Sequence, residues 1–558
     1  MEFTFGEYFP YVHHPARVPQ GLAEGVEGRR HTVAIVGGGP TGLALALGLA
    51  NYGVASVVLE ADDTVCSGSR AGAFTRRTLE IFERLGIIDE VMRSGHGWST
   101  GWTYYRDKEV FRLEMPNDAN QKHPPAISHL QNYIEHVMAG RADEGGLAEV
   151  RWQSEVTGLS QAPRVVRLDV ATPAGNYSLD ADWVVACDGA RSNVRSLMGL
   201  RMQGTRYEGR YVIIDVRVDT EGMPVGRRCW FDPPSMPGGT LLMYKKPNGM
   251  LRFDYQIGED EDEEVAMRKE NVFAAVDAHL RMLGIERKWE PVWMSLYRAS
   301  ALTLESYIHG RVLFAGDAAH LIPIFGVRGM NSAIDDTHNL AWKLAFAAKG
   351  IAGPALLDSY SAERVHAARE NQRFAMKGAE FMSPPSKPFR LMRDAVLSLS
   401  EKHPWFTSLM NPRQHSAIPL TQSALNAFPE RSAQFEAGPA PGNILPECPL
   451  IADGKATHLT SLLGPQFTAF LFTEAGELPR GLTEAVAALC ARAPLELRVI
   501  SKADDHTGRL FPLYGAQPGT FYLVRPDGHV CARWLSAEPA ELTAAVARIL
   551  EPQVPSTA

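Results

Sequence analysis

Cysteine is scarce in this chain: six among 558 residues, at positions 66, 187, 229, 448, 490 and 531. None falls in a C-x-x-C pair or a short cluster, which excludes a disulfide scaffold, a zinc ribbon and a dithiol redox centre, and no metal site is assigned. A basic excess is missing too. With 56 Lys and Arg against 64 Asp and Glu the net charge is −8, so no global field favours nucleic acid or an anionic membrane. The first thirty residues carry charges and prolines and lack the continuous apolar core of a secretory signal. A reducing cytoplasm fits these absences. There is no internal repeat and no low-complexity tract.

One stretch does have the length of a membrane span, since residues 33–59 contain no charged side chain. They also hold six glycines, Pro40 and Asn51. They divide into a β-branched run (32–36), a glycine turn, a helical run (43–52) and a second apolar run (56–59). Two buried parallel strands and a helix packed on their sheet explain the missing charges better than a membrane does, because both faces of such a sheet are covered. The expected fold class is therefore α/β, with no membrane span.

Gly37, Gly39 and Gly42 form G-x-G-x-x-G between that strand and that helix, enclosing Pro40 and Thr41. Such a turn lets the backbone approach a pyrophosphate held at a helix N-terminus. Glu60, 23 residues after Gly37, ends the second strand, where a carboxylate accepts both hydroxyls of an adenosine ribose and repels a 2′-phosphate. A tight glycine turn with a surface glutamate is the plainer alternative; strand, helix and acid together favour a dinucleotide.

Periodicity divides the chain further. Residues 1–30 read as an irregular N-terminal extension. A Rossmann-like dinucleotide-binding domain occupies 31–200 and resumes, with a helical segment, at 301–435. An antiparallel sheet over 201–300 is inserted between the two parts and would bind the substrate. After a Gly- and Pro-rich linker at 437–442, residues 443–558 form a further α/β domain. The acidic run 259–264 opens an amphipathic helix whose Val265, Phe273, Val276 and Leu280 face inward, a solvated first turn rather than a metal site.

NAD and FAD would both satisfy the first motif, so the discrimination comes from further along. Residues 310–320 read as a buried strand ending in Gly316 and Asp317, followed by Pro323 and by Gly326 to Asn331, which open a helix. Cys187, Asp188, Gly189, Ala190, Arg191 and Ser192 form a third segment. This ordered set resembles the group A flavoprotein aromatic hydroxylases. The resemblance implies FAD, with Asp317 on the ribityl chain and Asp188 in a motif associated with FAD and the nicotinamide nucleotide. It also implies Arg70 and Ala71 at the pyrophosphate, Gln131 at the flavin and the Val156 backbone at the adenine. The helix that opens at Gly329, Met330 and Asn331 would aim its free amides at the flavin pyrimidine edge. Taken singly, Asp317 could cap a helix, Arg70 could be a surface cation and Gln131 an exposed helix residue.

The family's chemistry follows as an expectation. NADH or NADPH reduces bound FAD, O₂ adds at C4a, and the resulting hydroperoxide passes one oxygen to an electron-rich ring. The match is strongest with the 3-(3-hydroxyphenyl)propionate branch, which implies a small phenolic acid as substrate. A polyketide or other larger-ring hydroxylase, a flavin oxidase or dehydrogenase, and a flavin-bearing binding protein stay open, as does a homodimer. Tyr211, Arg252, Tyr255 and Tyr297, on strands of the inserted sheet, and Pro323 are the substrate candidates, each of which could equally be packing. His320 reads as a packed residue, and no side chain is assigned a catalytic role.

Residues 515–528 resemble the thioredoxin-like C-terminal domain of phenol, 3-hydroxyphenylpropionate and polyketide hydroxylases of this group, here without its C-x-x-C. Two departures from the family pattern stand out. Pro323 and Ile324 are separated from His320 by Leu321 and Ile322, where many members have Pro-Pro. Val327 and Arg328 replace a common Gly-Gln, which would set a fixed cation near the ring.

Overall fold

A computed structural model describes residues 2–551 except 7, 18, 20, 21, 259, 411–413, 428, 478, 479, 491, 492 and 537. In chain order, the elements that place the site begin with β1 (Val26–Val36), α1 (Pro40–Asn51), β2 (Ser56–Leu59), α2 (Arg76–Arg84), α3 (Gln131–Gly145) and β3 (Gly175–Ala186). They continue with β4 (Gln203–Arg217), β5 (Arg227–Phe231), β6 (Thr240–Lys246), β7 (Met250–Gln256), α4 (Lys269–Met282) and β8 (Glu290–Thr303). Last come β9 (Val312–Phe314), α5 (Gly329–Ala348) and α6 (Ala355–Met382).

The architecture is the expected α/β one. Strands β9, β3, β1 and β2 lie side by side and parallel, with Ala148–Arg151 beyond β2. Val33, Ile35, Val57, Val184 and Leu313 on these strands are fully buried, as are Leu43, Leu45 and Leu49 of α1. The charge-free run is therefore the centre of a covered sheet, and among the described residues no helix is long and apolar enough to cross a membrane.

The N-terminal thirty residues are irregular only in part. Residues 26–30 are the first half of β1, pairing with β3, and Glu2–Thr4 pairs with β8. That half of β1 exposes Val26, Gly28, Arg29 and Arg30, so it carries no apolar signal.

The second sheet orders its strands β8, β4, β7, β6, β5, then Thr100–Tyr105 and Lys108–Glu114, with Glu2–Thr4 outside β8. It thus reaches beyond residues 201–300, and Thr100–Tyr105 pairs with β5 in parallel. Alternation splits its side chains between two faces. Val212, Ile214, Met243, Leu251, Phe253 and Tyr255 pack with Val272, Val276 and Leu280 of α4, and the opposite face looks toward the first sheet's loops. Val265, expected to face inward, is 37% exposed. It lies in a separate short turn, Glu263–Ala266, whose amides are capped by Asp262. Glu259 of the acidic run lies outside the described residues.

In the C-terminal segment, Phe467–Thr473 pairs in parallel with Leu495–Ser501 and antiparallel with Phe521–Val524, which pairs antiparallel with Val530–Trp534. With helices at Arg480–Cys490 and Pro539–Leu550 this is a β-α-β-β-β-α arrangement of thioredoxin-like order. It docks through buried charge. Arg525 grips Glu363 of α6 with two hydrogen bonds (2.7 and 3.0 Å), Lys343 of α5 adds a third (2.6 Å), and Asp527 accepts from Asn339 and Trp342.

Burial pushes the Glu363 carboxyl up, but Arg525 and Lys343 outweigh it and hold it well below its ordinary 4.5. The unfolded chain binds this proton more readily, so the stabilisation is fully present above about pH 4.5 and is lost as the pH falls. Glu363→Ala leaves buried Lys343 without its acceptor and Arg525 with Asp527 alone. We expect it to lower the unfolding free energy by about 3–5 kcal/mol at neutral pH. It should also flatten the loss of stability on acidification below pH 4.5. Denaturant titrations of both proteins across pH measure the two effects, and coincident curves would refute them.

Candidate functional site

Leu59, Val36, Ala186 and Phe314 occupy one register row across β2, β1, β3 and β9. The residues that follow therefore leave the sheet at the same edge: Glu60, Gly37, Asp188 and, after Ala315 and Gly316, Asp317. At the usual strand spacing these four ends span roughly 15 Å. Segments from opposite ends of the first 320 residues thus meet at the carboxyl edge of a parallel sheet, where α/β proteins bind ligands.

The glycine turn is built for close approach. A Cβ on Gly42 would lie 1.9 Å from the Gly37 carbonyl oxygen, so no other residue fits. A Cβ on Gly39 would meet nothing within 4 Å: the space before the turn is open. Gly39 is the N-cap of α1 and offers no side-chain cap, so the first-turn amide dipoles face that space. Glu60 accepts from the amides of Gly38 (2.5 Å) and Asp62 (2.9 Å), and burial raises its carboxyl pKa. Its oxygens keep lone pairs for ribose hydroxyls.

Two carboxylates on this edge are left incompletely satisfied. Asp188 Oδ2 accepts from the Val194 amide (3.0 Å), whereas its Oδ1 is buried with no donor. Asp317 makes no hydrogen bond or ion pair among the described residues, and the turn Gly316–Ala318 has no side-chain cap, so it is not a helix cap. Its side chain is exposed to solvent, yet enough protein surrounds it to raise its carboxyl pKa against the pull of His320 and Arg70. A residue of that kind projects into a cleft. Open space before Gly39, an orphan Asp188 oxygen and an unpaired Asp317 on one edge fit a bound dinucleotide.

The loop at residues 69–72 is held from below. Arg252 binds Asp215 bidentately (2.9 and 2.8 Å) and donates to the carbonyls of Ser69 and Arg70. Lys246, which burial and then Arg252 push down to about 7, reaches Asp215 and the Ser69 hydroxyl. Arg252, expected to meet substrate, is thus a strut. Ala71 and Gln131 are joined to each other, the Ala71 amide donating to Gln131 Oε1 (2.9 Å), and Arg70 pairs with Glu2 at 3.1 Å. The Val156 carbonyl accepts from Asn193 (2.7 Å), and Arg195 donates to the Ala318 carbonyl (3.0 Å), tying the Asp188 and Asp317 segments together. Asn193 and Arg195 follow Asp188 closely in sequence, so their signal was available; Asp215 and Lys246 had none.

Helix α5 begins at Gly329, with no side-chain cap from Arg328. Its first-turn amides, including those of Met330 and Asn331, stay available, but the Asn331 side chain does not. It accepts from the Thr75 amide (3.0 Å) and the Thr78 hydroxyl (2.6 Å) and donates to the Ala73 carbonyl (3.1 Å). Arg328 is no free cation beside the ring. Its guanidinium donates to Asn371 of α6 (2.7 Å) and the Gln414 carbonyl (3.2 Å) and lies over Phe374. Val327 before it has φ 52°, a left-handed conformation that strains a β-branched residue.

A cavity of about 500 Å³ lies between the second sheet and α6. Arg227, Phe231 and Tyr244 line it from the sheet, Phe325 and Gly326 from the loop before α5, and Phe374 from α6. None of the five substrate candidates does. Tyr211 bonds Ser383 (2.5 Å) and packs edge-on against Phe325, Tyr297 accepts from the Ile324 amide (3.1 Å), and Pro323 is buried beside them, so all three brace the loop. Tyr255 points from the other face of the sheet toward His279 of α4, because Arg252 and Asp254 already take the site side.

The chain matches the family model described as FAD binding domain over residues 30–375. Residues 438–552 match the one described as aromatic-ring hydroxylase, C-terminal. It is 31% identical over 372 residues to a 3-(3-hydroxy-phenyl)propionate/3-hydroxycinnamic acid hydroxylase of Mycolicibacterium smegmatis, covering 65% of this chain and 64% of that protein. A second hydroxylase of that description, from Burkholderia vietnamiensis, is 28% identical over 442 residues, 79% of each chain. The alignment to the first relative thus spans less than two thirds of that protein. Among solved structures, the flavin-dependent monooxygenase PieE with FAD and substrate superimposes with a TM-score of 0.80 at 23% identity, covering 94% of this chain and 99% of that one. OxyS anhydrotetracycline hydroxylase from Streptomyces rimosus does so with a TM-score of 0.67 at 26% identity and the same coverage.

Two glycine substitutions should separate folding from cofactor retention. Gly42→Ala drives a Cβ into the turn and should lower both the melting temperature and flavin content. Gly39→Ala fills only open space and should leave the melting temperature of the flavin-free protein unchanged while flavin occupancy falls. Asp317→Ala should likewise fold and lose flavin. Absorbance near 450 nm per mole of purified protein, beside a thermal melt, reads each case, and full occupancy in either folded variant would refute the assignment.

Proposed function

Because the chain belongs to the family of FAD-binding aromatic-ring hydroxylases, we propose that it is a monooxygenase that consumes NADH or NADPH and O₂ and hydroxylates a phenolic ring. The observation that carries this reading is the link between two features. The segment that leaves the sheet edge at Asp317, where Asp188 keeps a buried oxygen without a donor, runs on to Phe325 and Gly326 in the wall of an aromatic cavity. When bound, FAD supplies the redox and oxygen chemistry.

The protein's own residues do the rest. The Gly37–Gly42 turn with Pro40 and Thr41 receives the pyrophosphate, Arg70 neutralises it, and Glu60 takes the ribose. Val156 lies by the adenine, and Asp188 and Asp317 accept hydroxyls of the linking chain. Ala71 and Gln131 set the loop against the flavin edge. The amides of Gly329, Met330 and Asn331 stabilise negative charge that develops on the pyrimidine side. Aromatic walls exclude water from the reacting ring. The domain division given above is proposed on the same basis, and the six unpaired cysteines support a reducing, cytoplasmic setting.

The curated relatives support a small phenolic acid as substrate. A larger fused ring is the second reading, favoured by OxyS, which aligns over 94% of this chain. NAD(P)H oxidation followed with and without small phenols and fused-ring phenols decides between them. We expect severalfold stimulation by one class and, under ¹⁸O₂, a product carrying one labelled oxygen. Stimulated oxidation that yields only peroxide would replace the hydroxylase reading by an oxidase one.

A further inference from the structure

One register row crosses the site face of the second sheet: Arg227, Tyr244, Arg252, Asp215 and Trp293. It contains two arginines, 5% and 3% exposed, and the structure treats them differently. Arg252 directs its donors at Asp215 and at the loop carbonyls. Arg227 has no side-chain hydrogen bond and no ion pair among the described residues. Its Nε is buried without an acceptor, and its side chain lines the 500 Å³ cavity. A buried guanidinium in that state is costly unless something arrives to accept its donors.

The rest of the cavity wall points the same way. It carries three basic side chains, Arg227, Arg373 and Lys377, and no acidic one. Arg373 already has a partner in Glu370, so the unmatched buried charge is that of Arg227. Most of the remaining lining is aromatic and aliphatic, suited to a planar ring.

We infer that Arg227 anchors a carboxylate of the substrate, so that the cavity selects an aromatic ring bearing an acid side chain. The planar fork of the guanidinium accepts a carboxylate through two parallel hydrogen bonds, which fixes the ring's orientation as well as its affinity. The inference rests on the reading that this cavity holds the aromatic substrate. What it adds is the residue that reads the acid group of that substrate.

The test uses the FAD-loaded protein and a panel of arylcarboxylates without a phenolic hydroxyl: benzoate, phenylacetate, 3-phenylpropionate and cinnamate, each beside its neutral amide. Perturbation of the flavin spectrum reports binding. At least one acid should bind about 30-fold more tightly than its amide, as expected for charge-assisted hydrogen bonds. Arg227→Met should abolish that ratio with amide affinity nearly unchanged, and Arg227→Lys should keep part of it. Flavin content and melting temperature verify that each variant is folded. If Arg227→Met fails to hold flavin, the wild-type ratio and its partial retention in Arg227→Lys decide.

Equal affinity for acid and amide across the panel overturns the proposal, and so does an acid preference that survives in folded Arg227→Met. Hydroxylation of neutral phenols without any acid preference would remove the anchor and leave the monooxygenase reading intact. A carboxylate preference in a protein that never transfers oxygen would do the reverse.

Discussion

Asp336, fully buried on α5, is the acceptor on which the site's geometry turns. Its Oδ2 accepts from the Gly316 amide (3.1 Å) and pairs with His320 (2.6 Å), so it holds the turn that carries Asp317 from both ends. Its Oδ1 accepts from Arg364 of α6 (2.6 Å), which also binds Asp335 (2.9 Å), and Asp335 in turn accepts from Arg77 of α2 (3.2 Å). Burial pushes Asp336 up, but His320 and Arg364 bring its carboxyl below the ordinary value. Such buried pairs add little net stability over an apolar core. What they do is make one arrangement far cheaper than its neighbours, because any shift of a helix leaves a charge unmatched.

The same lattice reaches the C-terminal domain. Arg77 also donates to the Asp527 carbonyl (2.8 Å) and Arg84 to that of Pro526 (2.9 Å), while Arg525 and Asp527 engage α5 and α6. The turn at residues 525–528 is therefore a plug seated on three helices that shape the site. This gives a thioredoxin-like domain without a dithiol a physical task. Cys531 is buried and its thiol pushed up to about 12, which leaves it inert as a nucleophile. The domain braces these helices through Arg525 and Asp527.

How far the sequence could be read depends on whether a residue's constraint is local. Gly37, Gly42 and Glu60 obey turn and strand geometry within one β-α-β unit, so spacing alone places them. The tail's fold was legible for the same reason, in apolar runs separated by helical ones. Strand pairing at long range was not. Residues 100–114 enter a sheet built mostly of strands a hundred residues away, and Tyr255 differs from Arg252 only in parity, which a one-residue error of register reverses. The side chain of Asn331 is a staple that no local pattern shows, since its partners Thr75 and Thr78 lie some 250 residues upstream, while its amide stays free at the start of α5. Arg227, in the run Arg-Arg-Cys-Trp-Phe, has no pattern that separates it from an ordinary strand arginine.

Charge matching and strain then locate function in complementary ways. In the lattice around Asp335, Asp336 and Glu363 each carboxylate faces a cation, and that region does structural work. At the cavity the matching fails at Arg227, and on the sheet edge it fails at Asp188 and Asp317. Between these lies the loop at residues 321–329, where Val327 is held at φ 52°. Tyr297 grips the Ile324 amide, Tyr211 supports Phe325, Asn331 bonds the Val327 carbonyl, and Arg328 is pinned to α6. A strained joint persists only when its surroundings over-determine it. Here they do so at the segment that must present the first amides of α5 on one side and a cavity wall on the other, so the energy stored at Val327 is the cost of a preformed site.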